Sequence, residues 1–95
     1  MTLEELKINL ENIVRGLFSS GFGNIDSGIT EKLDNYASFA AELSLKKGKQ
    51  LIENLSSAIK SIKEGKSNAE SGNLRLTALD FYLKKLSDSK NTEDL

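Results

Sequence analysis

Between Thr30 and Gly65 the only helix breaker is Gly48, and the whole chain contains no proline. At 1.5 Å per residue an unbroken helix over that stretch would run roughly 50 Å. A compact chain of 95 residues has a radius of gyration of roughly 12 Å, so such a helix would be about twice the width of the domain. The apolar pattern inside the stretch also changes face. Ile29, Leu33, Tyr36, Ala40 and Leu43 mark one stripe, and its heptad continuation falls on Lys47, Gln50, Asn54 and Ser57, all polar. The pattern is carried instead by Leu45, Gly48, Ile52, Leu55, Ile59 and Ile62. At about 100° per residue, the stripe has rotated by a quarter turn or more. Either one long helix shows different faces to different neighbours, or it breaks somewhere over Ser44–Lys49. No good stop followed by a good cap stands near Gly48, which favours the continuous helix. The expected fold is therefore an all-α, small antiparallel bundle of three helices with a long central helix, becoming four helices if that helix breaks near Gly48.

The flanking segments are simpler. Leu3, Leu6, Leu10, Ile13, Val14, Leu17 and Phe18 repeat at the spacing of one helical face. Thr2 and Glu5 have the spacing of a capping box, and Glu4 and Glu5 suit the positive end of the helix dipole. This first helix should stop around Ser19–Gly21. A loop rich in small residues follows, from Ser19 to Gly28, and in it Phe22 and Ile25 either tuck under the helix ends or lie exposed for a partner. Thr30 is a plausible cap for the next helix. The last helix carries Leu76, Leu79, Leu83 and Leu86, flanked by Leu74, Ala78 and Tyr82. Its start is open between a capping box of Ser67 with Glu70 and a boundary at Gly72 with Asn73 as cap. Residues 1–87 should form a single helical domain, and residues 88–95 a flexible polar tail.

Missing residue types narrow the chemistry. The chain has no Cys and no His, so it has no disulfide, no thiolate zinc site, no thiol nucleophile and no imidazole to serve a catalytic Ser. Plentiful carboxylates form no pair in an apolar setting that would shift a pKa for acid–base work. No stretch approaches the roughly 18 apolar residues of a membrane span. Met1–Glu5 lacks the charged and apolar regions of a signal peptide. The expectation is a cytoplasmic protein that is not an enzyme and has no cofactor, no metal and no small-molecule substrate.

Two loop patterns fail on their context. Gly21-Phe22-Gly23 before a helix suggests a phosphate cradle, but no strand precedes it, no Lys follows at the needed spacing and Asp26 repels phosphate. Asn24, Asp26, Gly28 and Glu31 hint at a calcium loop, yet that register puts Phe22 at the first ligand position and Ser27 where the obligatory glycine belongs. A connector ending in a helix start explains both.

Charge is unevenly placed although the total is −1. Residues 1–45 hold three basic and seven acidic groups, residues 46–66 six lysines and two glutamates, and residues 67–95 four basic and five acidic groups, giving −4, +4 and −1. Lys46, Lys49, Lys60 and Lys63 share a helical stripe with Glu53 and Ser56, opposite Leu55 and Ile59 and thus expected to face solvent. Such a cluster is what nucleic-acid backbone binding needs. It lacks Arg and aromatics, Glu53 interrupts it, and the pI of about 5.4 is far below that of a basic binding module. A solvated helix face explains the same lysines, as does charge complementarity with the acidic first helix, within the chain or across a dimer.

The leading functional expectation is a helical protein–protein interaction module, self-associating or a small subunit of a larger assembly, because a chain this small has a limited core. The candidate interface residues are Phe22 and Ile25 of the loop and Phe39 and Phe81, which sit off the main stripes of their helices. Nucleic-acid association through Lys46, Lys49, Lys60 and Lys63 is the alternative, and a regulator docking a helix face on another protein is the third reading.

Overall fold

The stretch expected as one long helix is two. The structure, a computed structural model, describes residues 1–23 and 25–88, with backbone only at Ser87 and Asp88. It consists of α1 (Leu3–Ser20), α2 (Ile29–Glu42), α3 (Lys46–Lys63) and α4 (Ala69–Asp88). The longest extent is 39 Å, too short for a 50 Å rod, and the turned stripe is explained by two helices that each bury their own face. The expected tail lies, from Ser89 onward, outside the described residues.

The break falls at Leu43–Leu45, not at Gly48. Ser44 adopts φ 62, the left-handed region. The Leu45 N–H donates to the Ala40 carbonyl at 2.9 Å and the Ser44 N–H to that of Ala41 at 3.0 Å, a Schellman motif that satisfies carbonyls left over at the end of α2. Gly48 lies inside the first turn of α3, where it lets α4 approach. A Cβ there would stand 2.8 Å from the Tyr82 hydroxyl oxygen and 3.0 Å from a ring carbon.

The capping box of α1 is present: the Glu5 N–H donates to Thr2 Oγ1 at 3.1 Å, and the Thr2 N–H donates back to Glu5 Oε1 at 3.2 Å. That backbone hydrogen bond, then the hydroxyl of Thr2, holds the Glu5 carboxyl below its ordinary pKa. Two other caps differ from expectation. Helix α2 begins after Gly28, not Thr30, and the Asp26 carboxylate accepts the Gly28 N–H at 3.4 Å. Helix α4 starts at Ala69, capped by Asn68, whose Oδ1 accepts the Ser71 N–H at 3.2 Å. Neither Ser67 nor Asn73 is the cap, and Gly72 sits within the helix.

Consecutive helices run antiparallel. Asp34 early in α2 meets Ser56 and Lys60 late in α3, and Gly48 and Ile62 of α3 meet Tyr82 and Gly72 of α4. Helix α1 packs on α4 and α2, and α3 packs on α2 and α4; among the described residues the two diagonal pairs make no close approach. The result is an up-down-up-down four-helix bundle. Its core is one cluster, which includes Leu6, Leu10, Leu33, Leu55, Ile59 and Leu79 from the inner faces of the four helices. Ala37 and Ala40 are buried between α2 and α3, the most extensively packed pair, as small side chains that permit close approach.

Candidate functional site on the outer face of the last helix

Helix α4 is apolar on two sides. Leu76, Leu79 and Leu83 point into the core. Leu74 and Phe81, two turns apart, stand on the opposite side with exposures of 69% and 61%, the highest of any large apolar residues among those described. A helix whose second apolar side has nothing to cover it leaves that side to water at a cost that a partner would remove. Glu70, Asn73, Thr77 and Ala78 complete a shallow groove with Leu74 and Phe81. The Lys85 ammonium lies 4.7 Å from the centre of the Phe81 ring, a cation–π contact that keeps a positive charge at one end of the strip. Lys84 pairs instead with Asp80 at 3.0 Å. A second groove runs between α1 and α4, where exposed Phe18 faces Asp80 and Lys84.

The expected interface residues divide. Phe81 is exposed. Phe22 is buried, at 6% exposure, and leaves the candidate interface. Its ring fills a slot over Gly72, where a Cβ would come within 2.8 Å of a ring carbon and 2.9 Å of Ile62 Cδ1. Ile25 and Phe39 are partly buried and pack against the core. Leu74 is the residue the sequence reading assigned elsewhere, to the flank of the core stripe. The signal that marks it is its spacing of seven from Phe81 and its position across the helix from Leu76 and Leu83.

The basic stripe does not wholly face solvent. Ser56 is 1% exposed, and its hydroxyl donates to Asp34 Oδ1 at 2.9 Å, turning this side of α3 toward α2. Lys60 reaches the other oxygen of Asp34 at 3.2 Å, Lys49 pairs with Glu53 at 3.5 Å, and the Lys63 ammonium donates to the Asp26 carbonyl at 3.4 Å. Exposed pairs of this kind contribute about 0–1 kcal/mol each. The chain's own oxygens thus engage cations that a phosphate backbone would otherwise contact, at a cost to that binding no larger than the pairs themselves. Lys46 is exposed. In the loop whose spacing hinted at a calcium site and failed on its register, the Asp26 carboxylate starts α2 and the Asp26 carbonyl holds Lys63, and Asn24 lies outside the described residues.

At the end of the bundle beside the α2–α3 turn, the Tyr82 hydroxyl is buried against the Gly48 backbone and has no well-formed hydrogen bond among the described residues. Burial pushes its pKa up, and the Gly48 backbone offsets this only in part. Among the described residues no three acidic side chains converge as a metal site, and no helix is long and apolar enough to cross a membrane.

The arrangement defines a class, a four-helix bundle with an unpartnered apolar strip on its last helix. No known family, curated protein or solved structure matches the chain.

Proposed function

We propose that this chain is a non-enzymatic helical protein–protein interaction module that self-associates or serves as a small subunit of a larger assembly, docking through the outer face of α4. The observation that carries the reading is the pair Leu74 and Phe81, two large apolar side chains left in water on one face while the core is closed beneath them. Covering such a side chain fully is worth about 1.5–3 kcal/mol. The engagement of Lys49, Lys60 and Lys63 by this chain's own oxygens favours a protein partner over a nucleic acid.

Light scattering after gel filtration tests this over protein concentrations of about 10 µM to 1 mM, the range where weak self-association is visible. The expected mass rises above the 10.4 kDa of one chain with concentration. A Leu74→Ser, Phe81→Ser double variant should stay monomeric with unchanged helicity and thermal midpoint. Equal association by wild type and double variant would move the docking face elsewhere.

A further inference from the structure

We propose that the partner on the α4 face is a second copy of this chain, with the two α4 helices lying antiparallel across a two-fold axis between Thr77 and Ala78. This rests on the interaction reading above and adds the occupant and its register. With Asn73 at the groove's edge, the middle of the face reads Glu70, Leu74, Thr77, Ala78, Phe81, Lys85. These residues form three pairs about the midpoint between Thr77 and Ala78, each pair placed equally far from it: Thr77 with Ala78, Leu74 with Phe81, and Glu70 with Lys85. A two-fold interface is self-complementary, so each contact occurs twice. Turning α4 end for end about that midpoint sets Leu74 against the Phe81 of the second copy, and Phe81 against its Leu74. It also sets each exposed Glu70 carboxylate at the level of the other copy's Lys85 ammonium, which already stands over the Phe81 ring.

Three physical points select this geometry. Small side chains at the crossing let the helix axes approach to within about 8–10 Å. Antiparallel pairing brings unlike charges together at both ends, whereas parallel pairing would place Glu70 against Glu70 and Lys85 against Lys85. The spacing of Glu70, Leu74, Thr77 and Phe81, four then three then four residues, is that of a coiled-coil seam. The strip is narrow, below the size of a standard stable interface, so the dimer is a weak one.

The chain has no cysteine, so one introduced thiol reports one position. Ala78→Cys, beside the axis, should form a self-disulfide under an oxidised glutathione buffer, while Asn12→Cys on the far side of α1 should not. Glu70→Lys and Lys85→Glu should each weaken dimerisation about tenfold, because a two-fold turns each reversal into two like-charge pairs. The double reversal Glu70→Lys, Lys85→Glu should return the dissociation constant to within about twofold of wild type. Cross-linking at Ala78→Cys with rescue by the double reversal supports the pairing. Self-association without rescue, and with Asn12→Cys cross-linking equally, overturns the pairing and leaves the interaction reading standing. A chain monomeric at every concentration overturns both the pairing and self-association.

Discussion

The turns on either side of α3 share one backbone design and differ in what holds it. After α2, Ser44 takes φ 62; after α3, Gly65 takes φ 76. The hydrogen bonds match: the Lys66 N–H donates to the Ser61 carbonyl at 2.9 Å and the Gly65 N–H to Ile62 at 3.1 Å, as Leu45 and Ser44 do to Ala40 and Ala41. Glycine enters the left-handed region freely, whereas a residue with a Cβ bears a cost there of about 1–2 kcal/mol. The residue following each turn shows what offsets that cost. Leu45 is buried in the core cluster together with Ala40, the hydrophobic contact that accompanies many Schellman motifs. Lys66 is exposed. One turn is set by tertiary packing, the other by local conformational freedom.

The sharpest way to break this contrast is to truncate the residue after each turn. Leu45→Ala should cost about 2–5 kcal/mol in urea unfolding, and Lys66→Ala should stay within about 0.5 kcal/mol of wild type. Comparable losses at the two positions would sink the packing account of the first turn. Exchanging the left-handed residues comes next in size. Gly65→Ala should destabilise by about 1–2 kcal/mol, and Ser44→Gly should stabilise by up to about 1 kcal/mol, read as opposite shifts of the denaturant midpoint. The same sign at both sites would contradict the shared design. The smallest effect is alkaline. Burial raises the Tyr82 pKa above the ordinary value of 10.0, so above that pH the unfolded chain gives up a proton that the folded chain keeps. The associated stability is whole below about pH 10 and falls as pH climbs toward the raised value. Tyr82→Phe should remove that fall and change stability at pH 7 by no more than about 1 kcal/mol. Midpoints measured at pH 7 and 11 decide it, and an identical alkaline loss in wild type and variant would assign the effect to other groups.

The same contrast explains how much of the molecule was legible. Helix α1, with its Thr2–Glu5 box and regular leucines, reads straight from the sequence, as does the buried set Ile52, Leu55 and Ile59 of α3 and the stop at Gly65. These signals are local. The sequence favours a continuous helix through this point because serine carries no local mark of a left-handed turn; only the burial of Leu45, a tertiary fact, holds the break at Ser44. Gly48 and Gly72 misled in the opposite direction. Each resembles a breaker in sequence, and each instead makes room inside a helix, for Tyr82 and for Phe22. Phe22 could not be placed without knowing that Gly72 offers the slot. Of the candidate site, Phe81 was visible by its position off the stripe, while Leu74 needed the direction of the core to be known before its face could be assigned.

The ring of packing described for the bundle is uneven. The contacts of α3 with α2 and α4 are extensive, while α1 is joined to α4 and α2 by thinner seams. Opening free energies within one domain follow such local contact density. Helix α1 is accordingly the element expected to detach at least cost, which would uncover the α1-facing side of Leu83. The outer strip of α4 lies on another side of that helix, with none of its lining residues on α1. In this bundle the surface proposed for a partner thus stands apart from the seam expected to open first.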